Sequence, residues 1–217
     1  MAKVGKIGVI IYHKNILEIY SKSWVDKCID SIMEQTHKDF HIYELCYSED
    51  KQMLFSGFNY KHIPMGNHIQ AMNYVLDWAF EECSVVFNVN LDDFYAPTRF
   101  ERQLKAIGVG DCLVSSNIQY IEEMDGADVH GQVFEFAKLN INEELNKKNN
   151  IIAHPACAFT KKFWENNKYY NTESLGFEDM ELWQKALNNG SRIHIIDEVL
   201  LYYRISPKQT GRLNKAQ

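Results

Sequence analysis

The run Val85-Val86-Phe87-Asn88-Val89-Asn90-Leu91-Asp92-Asp93-Phe94 constrains the fold of this chain more than any other stretch. An apolar, β-rich segment stops on two adjacent carboxylates, and Tyr95-Ala96-Pro97-Thr98-Arg99-Phe100-Glu101 follows. Thr98 and Glu101 have the spacing of a capping box, with Pro97 just ahead, which predicts a helix opening there. Asp92 and Asp93 then sit at the carboxyl end of a strand, the edge where open α/β sheets bind their ligands. Two crowded carboxylates repel each other unless a cation lies between them. Hard oxygen ligands suit Mg²⁺ or Mn²⁺, often shared with substrate phosphates. The competing reading is plain turn chemistry and helix capping, for which Asp is equally suited.

The 217 residues fit one domain, and 46% hydrophobic with 24% charged residues describe an ordinary globule with a substantial core. A net charge of −6 excludes a nucleic-acid footprint, which needs a basic face. Cys28, Cys46, Cys83, Cys112 and Cys157 are scattered without CxxC spacing, so they read as reduced core thiols rather than a zinc site or a disulfide frame. No apolar run reaches the length of a membrane span, and the first residues lack a signal peptide's apolar core. The expectation is a soluble, cytoplasmic protein with no integral membrane segment.

Hydrophobic periodicity orders the first half as β-α-β-β-α-β. Val4–Tyr12 and Phe40–Cys46 read as strands, and His62–Pro64 as a short third one. Val25, Cys28, Ile29 and Ile32 mark one helical face ending near Thr36; Ile69, Met72, Leu76, Ala79 and Phe80 mark another. Short strands separated by amphipathic helices mean an α/β layer fold. In the second half, Cys112–Tyr120, Gly131–Phe136, Cys157–Thr160, Arg192–Ile196 and Val199–Arg204 read as strands. Glu178–Asn189 is an amphipathic helix stopped by Gly190. Lys138–Asn150 has too little periodicity to choose between a loop and a solvated helix, and Lys208–Gln217 is expected to fray.

In this order, the motifs resemble those of the GT-A fold glycosyltransferases of family 2, over residues 4 to 210. The resemblance is carried by Val9-Ile10-Ile11, by the Cys28-to-Phe40 run with its Gln35-Thr36, and by Asn90-Leu91-Asp92-Asp93 through Leu104. The Gly176-Phe177-Glu178-Asp179-Met180-Glu181-Leu182-Trp183 block and the closing Tyr202-to-Thr210 segment complete it. The resemblance implies a single GT-A domain, Rossmann-like, with a mixed central sheet flanked by helices. Residues 1–107 would form the nucleotide-binding half, and residues 108–217 would shape the donor-sugar and acceptor sites. It also implies metal-dependent, inverting transfer of a sugar from a nucleotide-sugar to a hydroxyl on a glycan or other acceptor. UDP is the expected nucleotide, and Mn²⁺ or Mg²⁺ the expected metal.

Matched position by position, the resemblance makes Asp93 the main metal ligand, with Asp92 second, facing ribose or metal. The family's first carboxylate is replaced by Asn90, which can still hydrogen-bond a ribose or sugar hydroxyl. Asp179 matches the base that takes the acceptor's proton, and Glu178 beside it is the neighbour that would raise its pKa. His154 would touch the donor sugar or diphosphate, and Arg204 and Lys208 the diphosphate, Lys208 from a closing loop. Two departures stand out. Cys46-Tyr47 occupies the place of an Asp that reads uracil, and Met72, followed by Asn73, that of a helix-borne Arg. Tyr12 or Tyr47 would then stack on the base, with Asn73 adding a polar contact. Ser206 stands where many members carry a histidine.

Three other readings compete. A nucleotidyltransferase needs a Gly-rich phosphate loop, and Gly8–Ser23 contains none. A metal-dependent phosphohydrolase needs acidic or histidine ligands on several strand ends, where only one cluster is present. A catalytically degenerate nucleotide- or sugar-binding module is kept open by the missing base-reading residues and opposed by the intact Asp93 and Asp179.

Overall fold

The computed structural model describes residues 5–56, 58–108 and 110–205. The elements run β1 (Lys6–His13), α1 (Ile16–Ile19), α2 (Lys22–Met33), β2 (His41–Cys46), β3 (Asn59–His62), α3 (His68–Phe80) and β4 (Cys83–Val89). Then come β5 (Phe94–Tyr95), α4 (Arg99–Ala106), β6 (Cys112–Met124), β7 (Ala127–Phe134) and α5 (Ile141–Asn146). A 3-10 turn at His154–Ala156 leads into β8 (Ala158–Thr160), α6 (Lys161–Asn167), α7 (Glu178–Asn188) and β9 (Arg192–Arg204).

One mixed sheet carries all of them, in the order β3-β2-β1-β4-β8-β6-β9-β5, with β7 paired to β6. The β3-β2-β1-β4 side is parallel; β8 enters antiparallel to both β4 and β6, and β9 runs parallel to β6. Strand alternation feeds two cores. In β1, Ile7, Val9 and Ile11 pack on the face covered by α2, whereas Ile10 packs on the face covered by α3. In β4, Val85, Phe87 and Val89 join the first core, and Cys83 and Val86 the second. A strand buried on both faces reads as a continuous apolar run, which is why these two were legible.

The five cysteines are buried and free, as expected of core thiols. Among the described residues, no helix is long and apolar enough to cross a membrane. The undecided Lys138–Asn150 segment contains α5, capped by Asn140, whose side chain accepts the Glu143 N–H. The two closing strands are one strand: β9 runs through Asp197 and Glu198 and shifts register against β6 opposite Asn117. The expected fraying of Lys208–Gln217 falls outside the described residues.

The capping box does not form. Thr98 sits at the start of α4 with φ −94° and ψ 3°, not the extended backbone a cap needs, and its side chain caps nothing. Glu101 instead accepts from the Thr36 hydroxyl at 3.0 Å. The cap comes from elsewhere in the chain: Gln35 Oε1 accepts the Phe100 N–H at 3.0 Å, while its Nε2 donates to the Ala96 and Ser31 carbonyls. The amide just past the end of α2 thus stitches that end to the segment between the acidic turn and α4.

Candidate active site

A cleft of about 370 Å³ opens over the carboxyl end of β4. Its walls include Tyr12, His68 and Met72 on one side, Asn90 and Asp92 at the strand end, and His154, Glu178 and Asp179 across from them. Tyr20, Trp24, Ile118, Tyr120, Phe136 and Tyr203 line it further on.

The acidic turn is tightly braced. Asp93 N–H donates to the Asn90 carbonyl, and the Tyr95 hydroxyl accepts the Asn90 N–H at 2.9 Å. The two aspartates part company here. Asp92 is half-buried in the cleft wall, whereas Asp93 is 1% exposed and lies beneath it. Asp93 Oδ1 accepts the Arg204 backbone N–H at 2.8 Å; Oδ2 is buried with no hydrogen-bond partner. Burial, and then the charge of Asp92, push the Asp93 carboxyl well above the usual range against the pull of the Arg204 N–H. Asp92 is therefore the carboxylate that faces the cleft, and Asp93, first in the order the resemblance implied, lies beneath it. The reason is the turn itself: neighbouring residues leave a strand end on opposite sides, and spacing alone does not say which side is open.

Arg204 does not line the cleft. Its guanidinium pairs with Asp128 of the β6–β7 hairpin, its Nε donates to the Asp92 carbonyl at 3.0 Å, and it lies 5.0 Å from the Trp24 ring centre. It holds the acidic turn from behind, in place of the expected contact with a diphosphate. Asn73 is likewise taken: Nδ2 donates to the Tyr170 carbonyl and Oδ1 accepts the Tyr170 N–H, both at 3.0 Å. Tyr47 is half-buried outside the cleft wall, and burial lifts its hydroxyl to about 12. Tyr12 does line the cleft, donating to Met72 Sδ at 3.4 Å. Lys208 and Ser206 lie outside the described residues.

His154 lines the cleft but is spoken for on both ring nitrogens. The Asn88 amide donates to the His154 carbonyl and to Nδ1 at 2.9 Å, so Nε2 carries the proton and donates to the Tyr170 hydroxyl at 2.8 Å. Burial pulls its pKa to about 3, so the ring is neutral. It can order a neighbour; it cannot serve as a cation.

Glu178 and Asp179 divide the labour of a carboxylate pair. Glu178 accepts from His68 Nε2 at 3.0 Å and from the Gly176 N–H. Burial pushes Glu178 up, but the His68 and backbone hydrogen bonds outweigh it and hold the carboxyl below its usual range. Asp179, half-buried in the wall, accepts no hydrogen bond from any described residue. Burial first, then the Glu178 charge, push it to about 8. An unengaged carboxylate with that affinity for a proton is what a general base requires. Sequence reading missed His68. The signal was there, since His68 lies four residues before Met72, one turn along the same helix face.

No family model matches the chain. It is 28% identical over 207 residues to an O-antigen biosynthesis glycosyltransferase, WbnJ, of Escherichia coli, covering 87% of this chain and 77% of that one. S. aureus TarS 1–349 in complex with UDP-GlcNAc superposes with a TM-score of 0.68 at 17% identity, covering 93% of this chain. This chain spans 59% of that one. GalNAc-T7 with UDP, GalNAc and Mn²⁺ superposes with a TM-score of 0.70 at 14% identity, covering 94% of this chain and 45% of that one. The fold is that of the GT-A glycosyltransferases, and the sequence relation is to a glycosyltransferase.

Proposed function

We propose that the protein transfers a sugar from a nucleotide-sugar, with UDP as the nucleotide, to an acceptor hydroxyl with inversion at the anomeric carbon. The observation that carries this reading is Asp179, a carboxylate without a hydrogen-bond partner among the described residues, pushed to about 8, facing the same cleft as Asp92. In-line displacement needs a base on the face opposite the leaving diphosphate, and Asp179 is the group able to take the acceptor's proton. Glu178, with both oxygens engaged, is the fixed charge that keeps Asp179 basic.

The cleft fits a divalent metal bound together with its substrate. Asp92 would hold it, with Asn90 alongside facing donor hydroxyls and Asp93 supporting the turn from below. Among the described residues, no group of three or more His, Cys, Asp or Glu forms a cage, and no lysine or arginine lines the cleft. That suits Mn²⁺ or Mg²⁺, which commonly take one or two carboxylates and complete their shell with water and phosphate oxygens. When bound, such an ion offsets the charge that builds on the departing diphosphate. The half up to residue 107 would hold the nucleotide, through Tyr12 and the α3 face, and the half from residue 108 would shape the sugar and acceptor sites.

The test is a thermal melt with UDP, GDP, dTDP and CMP, each with and without Mn²⁺, on the wild type and Asp92→Ala. A ligand at a hundred times its dissociation constant adds about 2.7 kcal/mol. In a chain of this size that is roughly 5–10 °C. A metal-dependent shift with UDP, lost in Asp92→Ala, is expected; no shift with any nucleotide would remove the transferase reading. UDP-GlcNAc and UDP-GalNAc are the first donors to assay, given the UDP-GlcNAc complex of TarS and the UDP and GalNAc bound to GalNAc-T7.

A further inference from the structure

The sheet order splits the cleft into two ends. Tyr12 on β1, and His68 and Met72 on α3, lie on the β1–β2 side of β4, because α3 packs on β1, β4 and β2. Tyr120 on β6 and Tyr203 on β9 lie on the other side. Trp24 belongs with them, since α2 packs against β5, the strand beyond β9. Asp92 stands between the two ends, at the close of β4.

We propose that the β6–β9 end, built on Trp24, Tyr120 and Tyr203, is an acceptor subsite that takes the ring of an uncharged sugar. This inference rests on the transferase reading, which leaves the opposite end for the nucleotide. Three observations support it. Trp24 is a pinned plane: its indole N–H donates to Glu123 on the hairpin, and the Arg204 guanidinium lies 5.0 Å from its ring centre. The hydroxyls of Tyr120 and Tyr203, both half-buried, hydrogen-bond no described residue. The lining residues on β6 and β9 and on the segments packed against them, Trp24, Ile118, Tyr120, Phe136 and Tyr203, are uncharged.

An aromatic face carries partial negative charge, so it attracts the C–H face of a pyranose, while the hydroxyls around the ring need donors and acceptors at the edge. A fixed indole bordered by unengaged phenols supplies both. Among the described residues, no lysine or arginine lines that end to meet a diphosphate. Tyr203 lines the same cleft as Asp92 and Asp179.

The experiment is ligand-observed saturation-transfer NMR on the full chain with the methyl glycosides of glucose, galactose and N-acetylglucosamine. The UDP–Mn²⁺ melt runs in parallel. At least one glycoside should receive saturation through its ring C–H protons. Trp24→Ala should weaken that glycoside by about 3–10-fold, the worth of one aromatic contact, with the UDP–Mn²⁺ shift unchanged. Tyr203→Phe, which removes one hydroxyl and keeps the ring, should weaken it in the same direction and guards against a folding defect in Trp24→Ala. No response from any glycoside overturns the proposal, as does a Trp24→Ala protein that loses UDP and keeps the glycoside. If UDP never shifts the melt while a Trp24-dependent glycoside response persists, the transferase reading fails and the sugar subsite stands.

Discussion

His68 on α3 and Glu178 on α7 meet across the cleft with Nε2 3.0 Å from Oε1, and Asp179 beside them has no hydrogen-bond partner among the described residues. The two helices come from opposite halves of the chain. The pair engages one carboxylate and leaves the next open to the cleft, the group proposed as base.

Asp179 sets the pH dependence. The base works when deprotonated, so kcat is expected to rise with pH through about 8. Asp179→Asn should keep the UDP–Mn²⁺ melt shift and lose roughly 10²–10⁴-fold in kcat. A variant with normal turnover would move the base elsewhere. Stability should move the other way. A carboxyl raised in the folded state contributes its stability at low pH and loses it as pH climbs from the unfolded value toward 8. Asp179→Asn should therefore melt higher than wild type at pH 8, with the gain vanishing near pH 4.

Glu178→Gln removes the charge that raises Asp179. The acid limb of the kcat profile should shift to lower pH, with a lower maximal rate from the weaker base. His68→Ala frees Glu178 Oε1 and should lower kcat more than it raises the donor KM. His68→Gln, which keeps a donor on that side, should recover part of the loss. An unmoved pH profile in Glu178→Gln would reduce the pair to a structural clasp.

Asp92 and Asp93 should separate cleanly in mutagenesis. Asp92→Ala is expected to abolish the metal-dependent part of nucleotide binding while the apo protein melts near wild type. Asp93→Ala strands the Arg204 N–H in a buried place, costing about 1–3 kcal/mol in chemical denaturation. Wild-type nucleotide affinity with Mn²⁺ in Asp92→Ala, together with its loss in a stable Asp93→Ala, would restore Asp93 as the metal ligand.

Arg204→Ala breaks a partly buried pair and unties the Asp92 carbonyl, an expected loss of about 1–3 kcal/mol at neutral pH. Burial pushes Asp128 up, but its bonds to Arg204 and Lys27 hold the carboxyl below the usual range. Such a group's contribution is present above the unfolded pKa and lost as pH falls through the folded one. The penalty in Arg204→Ala, measured by urea denaturation, should therefore shrink at acid pH.

The sequence by itself determined the layer fold, because strands buried on both faces and helices buried on one leave periodic apolar patterns that need no partner to be read. Ile7 to Ile11, Val85 to Val89 and the α3 stripe are of that kind. Motif order also pointed to Asp92 and Asp179, which the fold brings to one cleft. Tertiary structure decided what each polar side chain touches. Arg204, Asn73 and His154 all stood near the right place in the chain, yet Arg204 and Asn73 spend their hydrogen bonds on backbone and hairpin, and His154 is saturated by Asn88 and Tyr170. Gln35 capping α4, His68 gripping Glu178, and the choice of Asp92 over Asp93 for the cleft are contacts between segments distant in sequence or opposite faces of one turn. Local pattern records burial; it holds no record of which partner a long-range hydrogen bond will find, because packing of the whole sheet sets that distance.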